Sequence, residues 1–183
     1  MRVFKLDRGR LCAIACTLNL GAGLPWDSVA EAVSGVGGVK IVLFRREFAV
    51  GPAHLLAAVD YAARAFRTGR NIARSFHVEA FLFAATTNEI AEALRMFQPS
   101  SSDRSLHAVI VADEPQRCTD ALEALKRVAE SVEPLSRDEA AAKRAIRELG
   151  IDERELRATR ASSLAEAVEK CILSRMAMAF VAR

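Results

Sequence analysis

Apolar residues recur along this chain with two kinds of spacing, one typical of strands and one typical of helices. Short apolar runs predict strands over residues 2–6, 11–18, 39–44, 77–84 and 105–112. The first two runs flank the turn sequence DRGR at residues 7–10 and are therefore expected to form a hairpin. Because a hairpin pairs its strands in antiparallel fashion, we expect a mixed or antiparallel sheet rather than an all-parallel one.

Segments with helical spacing separate these strands. In residues 52–68, Leu55, Val59 and Ala62 lie on one stripe, and Gly69 is expected to end the helix. Ser or Thr followed three residues later by Glu predicts further helix starts at Ser28, Thr86, Ser136 and Ser163, and residues 116–130 predict another helix. The helix after Thr86 is expected to bury Ile90, Leu94 and Phe97. We predict an α/β fold of the α+β type, in which helices cover the sheet and the C-terminus is helical.

Composition narrows the class of protein. The 183 residues are 51% hydrophobic and contain 9 Gly and 5 Pro, so the chain can bury a core, and one domain over residues 1–183 is expected. The net charge of +3 is too small to indicate nucleic-acid binding by itself. Basic residues before the apolar run 11–16 have the order of a signal peptide, but Asp7 and Thr17 interrupt it and the hairpin is favoured. No run approaches the length of about eighteen apolar residues that spans a membrane, so a cytoplasmic protein without membrane contact is expected.

The reactive side chains do not assemble into a recognisable motif. The cysteines, at positions 12, 16, 118 and 171, are expected to be free and mostly buried. Their spacing does not match a zinc site, and the three histidines are far apart, so neither a metal nor a cofactor is expected. The glycine-rich residues 35–40 lack the Gly-Lys-Ser/Thr of a phosphate loop. An enzyme acting through His77, Glu79 and Asp113 stays open as the weaker alternative, since His77 and Glu79 would share one face of a strand.

A basic segment is more informative. Arginines occur at positions 64, 67, 70 and 74, with no acidic residue between them. Asp60 lies one helical turn before Arg64 and is expected to pair with it. Arg70 and Asn71 follow the predicted helix end, where a guanidinium can bind phosphate and an amide can read a base. A solvated helix end, whose late cations suit the helix dipole, explains the same residues equally well.

Residues 69–75 (GRNIARS) and 79–94 (EAFLFAATTNEIAEAL) are similar to the core signature of a known family. It is the kinase-associated, tRNA-recruiting subunit of the KEOPS complex, the family that includes the human PRPK-binding protein. Residues 141–157 and 171–180 also resemble its penultimate helices and closing segment. The chain differs from the family pattern at residues 85–89, and its closing segment has fewer leucines.

The resemblance implies a non-catalytic adaptor. KEOPS makes threonylcarbamoyladenosine next to the anticodon of tRNA, using a transferase subunit and a kinase-like ATPase subunit. The family binds the ATPase and, in archaeal members, holds the single-stranded 3′ CCA end of tRNA. Carried over to this sequence, the RNA site comprises Arg70, Asn71, Ile72 and Ala73, with Arg67 and Arg74 as flanking phosphate contacts.

The resemblance also implies that the end of the last helix contacts the ATPase. The residues concerned are Ile172, Met176, Met178 and Phe180. A core helix would show the same apolar spacing, and Leu164, Val168 and Cys171 are expected to be core. Met176, Met178 and Phe180 cannot all face inward from one helix, which favours an interface at this end. A protein scaffold that does not bind RNA stays open as a further alternative.

Overall fold

The strands and most of the helices lie in different parts of the chain. The structure is a computed structural model that describes residues 1–21 and 25–183. Its chain divides into two compact units, the first formed by residues 1–45 and 99–135 and the second by residues 46–98 and 136–183.

The first unit is an antiparallel sheet with helices packed against it. Its strands are β1 (Phe4–Leu6), β2 (Leu11–Asn19), β3 (Val39–Arg45), β4 (Ser105–Ala112) and β5 (Ser131–Pro134). They are ordered β1-β2-β4-β3, and β5 also pairs with β2. Two helices, α1 (Trp26–Ser34) and α5 (Pro115–Val128), pack on the sheet over a core that includes Ile14, Leu106 and Ile110. The predicted hairpin of β1 and β2 is confirmed.

The second unit consists of helices. They are α2 (Pro52–Thr68), α3 (Phe76–Ala84), α4 (Ile90–Phe97), α6 (Glu139–Glu148), α7 (Glu153–Ala158) and α8 (Leu164–Ala182). The long α8 packs against α2, α3, α6 and α7. The predicted α+β class, the antiparallel sheet and the helical C-terminus are therefore confirmed. That residues 1–183 act as one adaptor domain stays a prediction.

One predicted strand is wrong, because residues 77–84 lie in helix α3. This run is apolar at nearly every position, so it carries no period that separates a strand from a buried helix. The side chains from Glu79 to Ala84 are all buried, and α2, α4 and α8 pack around them. A helix that is apolar on all sides is stable only when neighbours cover it, which the local sequence does not reveal.

Several helix starts also differ from the prediction. The N-cap position of α4 is Glu89, whose side chain makes no capping bond, and Thr86 has a left-handed φ of 50°. Ile90 is 42% exposed instead of buried. Helix α6 is capped by the Asp138 carboxylate, which accepts two backbone N–H bonds, and not by Ser136. At α8 the prediction is confirmed, because the Ser163 hydroxyl accepts the backbone N–H of Glu166. Strand β5 was not predicted, and α7 was indicated only by the resemblance of residues 141–157 to the penultimate helices of the family.

Candidate functional site

The basic segment begins where α2 ends. Gly69 adopts a left-handed φ of 67°, which side chains with a Cβ adopt at a cost, and it stops the helix as predicted. The backbone N–H of Arg70 then donates to the Ala65 carbonyl over 2.9 Å. This closing turn fixes the direction in which the chain leaves α2. Residues 70–74, which we call the basic loop, connect it to α3.

The basic loop exposes two charges and one apolar side chain. Arg70, Arg74 and Ile72 are exposed, whereas Ala73 is buried. The amide Nδ2 of Asn71 donates to the Ala73 carbonyl over 2.9 Å, inside the loop itself. The sequence-based site therefore needs a correction, because the buried side chain of Ala73 is not available to a ligand. The backbone of Ala73 takes part in the loop, because its carbonyl accepts the Asn71 amide.

Glu79 fixes the basic loop to α3. Its Oε2 accepts the backbone N–H of Ile72 over 2.9 Å and that of Ala73 over 2.7 Å. Its Oε1 accepts the Arg183 guanidinium, through Nη1, over 2.6 Å. Glu79 is fully buried, so these bonds compensate the cost of removing its charge from water. Sequence reasoning missed this structural task, for which the lone acidic residue in an apolar run was the only local signal.

Arg183 is held firmly on the other side of this ion pair. Its Nη2 donates to Asn88 Oδ1 over 2.9 Å, and its guanidinium carbon lies 4.1 Å from the centre of the Phe83 ring. The Arg183 side chain is only 7% exposed. Burial lowers the pKa of Arg183 from its ordinary value, and the Glu79 carboxylate opposes that change.

Helix α2 carries two arginines of the basic segment: Arg64 pairs within the helix, and Arg67 lies at the surface. Arg64 pairs with Asp60 over 2.6 Å, as predicted, and also lies over the Tyr61 ring. Arg67 is exposed in the last turn of α2, next to the basic loop. Of these two, Arg67 is the one positioned to extend the charge of Arg70 and Arg74.

The candidate acid and base of the enzyme alternative do not form a pair. On helix α3, positions 77 and 79 point to different sides, so the expected shared face is wrong. His77 is exposed on one side and contacts the Phe81 ring edge-on with the other, and the loss of water on the covered side lowers its pKa. Glu79 is bonded to the basic loop, and Asp113 lies 3.5 Å from Arg117 in its own unit. Each of the three therefore has a local structural partner.

The predicted ATPase contact at α8 is only partly exposed. Ile172 and Met176 are completely buried, so the prediction that these two side chains contact a partner is corrected. Phe180 is half-buried, with its ring 5.3 Å from that of Tyr61. Met178 is 64% exposed, and Val181, which sequence reasoning missed, is 80% exposed. Met178 and Val181 thus form an apolar patch at the end of α8, which we call the α8 patch.

The remaining reactive groups are structural. The four cysteines are free and buried, and burial raises the pKa of Cys16 to about 12, so its thiol stays protonated at neutral pH. Over residues 1–21 and 25–183, no three His, Cys, Asp or Glu residues are grouped so that they can hold a metal ion. In the same described part of the chain, no helix is both long and apolar enough to cross a membrane.

Comparison with known proteins identifies a family. A search of the curated proteins finds no match. The family described as kinase binding protein CGI-121 matches residues 38–179, a range that includes the basic loop and α8 up to Ala179. Because this match spans most of the chain, the protein belongs to the CGI-121 family of kinase binding proteins.

Proposed function

We propose that this protein is a non-catalytic subunit of the KEOPS complex. In this proposal the α8 patch binds the kinase-like ATPase subunit, and the basic loop recruits tRNA through its 3′ CCA end. The transferase subunit then makes threonylcarbamoyladenosine on the recruited tRNA. The observation that carries the proposal is an exposed Arg70-Ile72-Arg74 surface on an ordered loop, in a protein of a kinase-binding family.

The exposed groups of the basic loop suit single-stranded RNA. Such strands are bound through phosphate charge and through contacts with the faces of unpaired bases, without groove recognition. The Arg70 and Arg74 guanidinium groups supply the charge, and the exposed Ile72 side chain supplies an apolar surface for a base. The bond from the Asn71 amide to the Ala73 carbonyl shapes the loop, and the contact of Asn71 with a base stays a prediction. Arg67 extends the charge as a peripheral contact.

The RNA assignment is tested by titrating the protein with intact tRNA and with tRNA that lacks its 3′ CCA. Arg70→Ala is expected to weaken binding of intact tRNA by about 1.5–3 kcal/mol, because a charge-assisted phosphate contact is lost. Arg154→Ala, which removes an exposed arginine from α7, is the matched control and is expected to leave the affinity nearly unchanged. Equal affinity of the wild-type protein for intact and trimmed tRNA would contradict recruitment through the CCA end.

The kinase contact is tested at the α8 patch. Met178→Asp is expected to abolish co-elution with the ATPase subunit while helix content stays unchanged, because it places a charge in a desolvated interface. Val128→Asp changes another exposed apolar residue, on α5, and is expected to co-elute normally. Normal co-elution of Met178→Asp would remove the α8 patch from the interface. Loss of co-elution in Met178→Asp, together with no binding of either tRNA by the wild-type protein, would favour the RNA-independent scaffold.

A further inference from the structure

The end of α8 and the basic loop are joined by one buried carboxylate. Glu79 uses one oxygen for two backbone N–H groups of the loop and the other oxygen for Arg183. Arg183 follows directly after α8, which ends at Ala182. The loop that carries the candidate RNA contacts is therefore bonded, through the Glu79 side chain, to Arg183, two positions after Val181 of the α8 patch.

We propose that Glu79 and Arg183 are the positioning residues of the basic loop, so that RNA affinity depends on the end of α8. Neither side chain contacts RNA in this proposal. Glu79 holds Ile72 and Ala73 by their backbone, and Arg183 holds and neutralises Glu79. The consequence for RNA binding rests on the proposed function of the loop, whereas the ordering of the loop does not.

The charges explain why both members are needed. A carboxylate without its counter-ion is unstable in a buried position, and it would also lie beside the loop that is to receive phosphate groups. Arg183 removes both problems, because its guanidinium is directed at Glu79 by the bonds to Asn88 and by the Phe83 ring. Without Arg183, we expect the Glu79 carboxylate to turn toward water, because its charge is then buried without a counter-ion. Glu79 would then no longer accept the two N–H groups of the loop.

A loop fixed in advance binds with less loss of conformational freedom. The exposed side chains of Arg70, Ile72 and Arg74 extend from the segment whose backbone Glu79 fixes. Their spacing on the surface is therefore set by Glu79 before a ligand arrives. Glu79 and Arg183 are thus expected to influence affinity without touching the ligand, which separates them from Arg70 in an experiment.

The experiment compares the wild-type protein, Arg183→Ala and the double variant Glu79→Gln/Arg183→Ala. The first readout is hydrogen exchange at the Ile72 and Ala73 amides in the free protein. The second is affinity for a single-stranded RNA oligonucleotide that ends in CCA. For Arg183→Ala we expect exchange that is faster by about tenfold or more and an affinity that is weaker by about tenfold, the size of one charged hydrogen bond. Arg154→Ala serves as the control for a lost positive charge.

The double variant separates positioning from direct contact. The side-chain amide that Glu79→Gln introduces has an oxygen that can accept both loop N–H groups, and it carries no charge that needs Arg183. We therefore expect the double variant to regain most of the amide protection and most of the affinity lost in Arg183→Ala. Double and single variants that are equally weak would show that Arg183 acts in another way, and the proposal would be wrong.

Further outcomes are also decisive. Wild-type exchange rates at Ile72 and Ala73 in Arg183→Ala would overturn the proposal directly. If Arg183→Ala does not fold, Arg183→Lys retains the charge without the guanidinium fork and is expected to give the same changes at a smaller size, of about threefold. If the wild-type protein does not bind the CCA oligonucleotide, the RNA function fails, and hydrogen exchange alone still decides whether the pair positions the loop.

Discussion

The second unit contains two buried carboxylates with similar surroundings. Glu79 accepts two backbone N–H groups of the basic loop and pairs with Arg183. Glu169 accepts the backbone N–H of His54, in the first turn of α2, and pairs with Arg137 over 2.8 Å. Both carboxylates are almost completely buried. One therefore fixes the segment that precedes α3, and the other fixes the start of α2.

The two ion pairs differ in the access of water to the arginine. The Arg183 side chain is 7% exposed, whereas the Arg137 side chain is 46% exposed. A charge left behind at Arg137 can be hydrated in place, but one left at Arg183 stays desolvated. We therefore expect two buried carboxylates with the same kinds of partner, backbone N–H groups and one arginine, to depend unequally on that arginine. Because the Glu79–Arg183 pair is buried, we expect the geometry of the basic loop to depend on both Glu79 and Arg183.

The largest change in the free energy of unfolding is expected when the buried Glu79 carboxylate is removed. Glu79→Ala is expected to lower the free energy of unfolding by about 3–5 kcal/mol, because it leaves a buried guanidinium and two loop N–H groups without their acceptor. Glu169→Ala is expected to cost about 1–2 kcal/mol, since the half-exposed Arg137 regains water. Urea unfolding of the two variants measures the difference. Equal losses would mean that exposure of the arginine does not decide the cost.

The segment from α2 to α3 shows which features could be predicted from the sequence. The Gly69 helix end and the Asp60–Arg64 pair were predicted because each involves neighbours in the chain. The role of Glu79 was not predicted, since Arg183 is separated from it by 104 positions. The strand assigned to residues 77–84 failed for the same reason. Its neighbours in space, not its own pattern, make α3 a helix.

The end of α8 gave a mixed result for an equally physical reason. Apolar side chains at helical spacing can be core or interface, and the sequence left both interpretations open. Met176 and Met178 are two positions apart on a helix and point to opposite sides, so one is buried and the other exposed. The sequence could predict that the two differ. Only the packing of α8 against α2, α3 and α6 determines which of them faces inward.

The residues around Glu169, which we call the Glu169 region, include His54, whose backbone N–H the Glu169 carboxylate accepts. We expect acid to lower the free energy of unfolding through the His54 side chain. His54 is fully buried, its Nε2 donates to the Ala84 carbonyl and its Nδ1 accepts the Val50 N–H, which defines a neutral ring. Burial lowers its pKa to about 4, although the Ala84 carbonyl and the Glu169 carboxylate favour the charged form. An unfolded histidine takes up its proton near pH 6.5, so the unfolded state gains stability as the pH falls from about 6.5 to about 4.

The expected loss over this pH range is about 3 kcal/mol in the free energy of unfolding, and it levels off below pH 4 for this residue. Urea unfolding between pH 7.5 and pH 4 measures it. His54→Gln cannot gain a proton and is expected to remove most of this slope. His77→Gln, at an exposed position, is the comparison variant; the pKa of His77 is also lowered, but less than that of His54, so this variant is expected to retain most of the slope. An unchanged slope in His54→Gln would place the acid sensitivity elsewhere.

The smallest expected effect tests how tightly the Glu169 region is packed. A Cβ on Gly51 would lie 2.7 Å from Glu169 Oε1 and 2.9 Å from Arg137 Cγ, closer than atoms can approach without a shift. Gly51→Ala is therefore expected to cost about 1–3 kcal/mol, through displacement of the carboxylate. At Gly69 a Cβ would meet open space, so Gly69→Ala is expected to cost about 1 kcal/mol, and only through its left-handed backbone.

A double-mutant cycle separates these two causes. Gly51→Ala made in the Glu169→Ala background is expected to cost clearly less than in the wild-type background, because the carboxylate that blocks the Cβ is gone. Gly69→Ala has no such dependence on Glu169. If Gly51→Ala costs the same in both backgrounds, the clash with Arg137 Cγ and not the clash with the Glu169 carboxylate sets the cost.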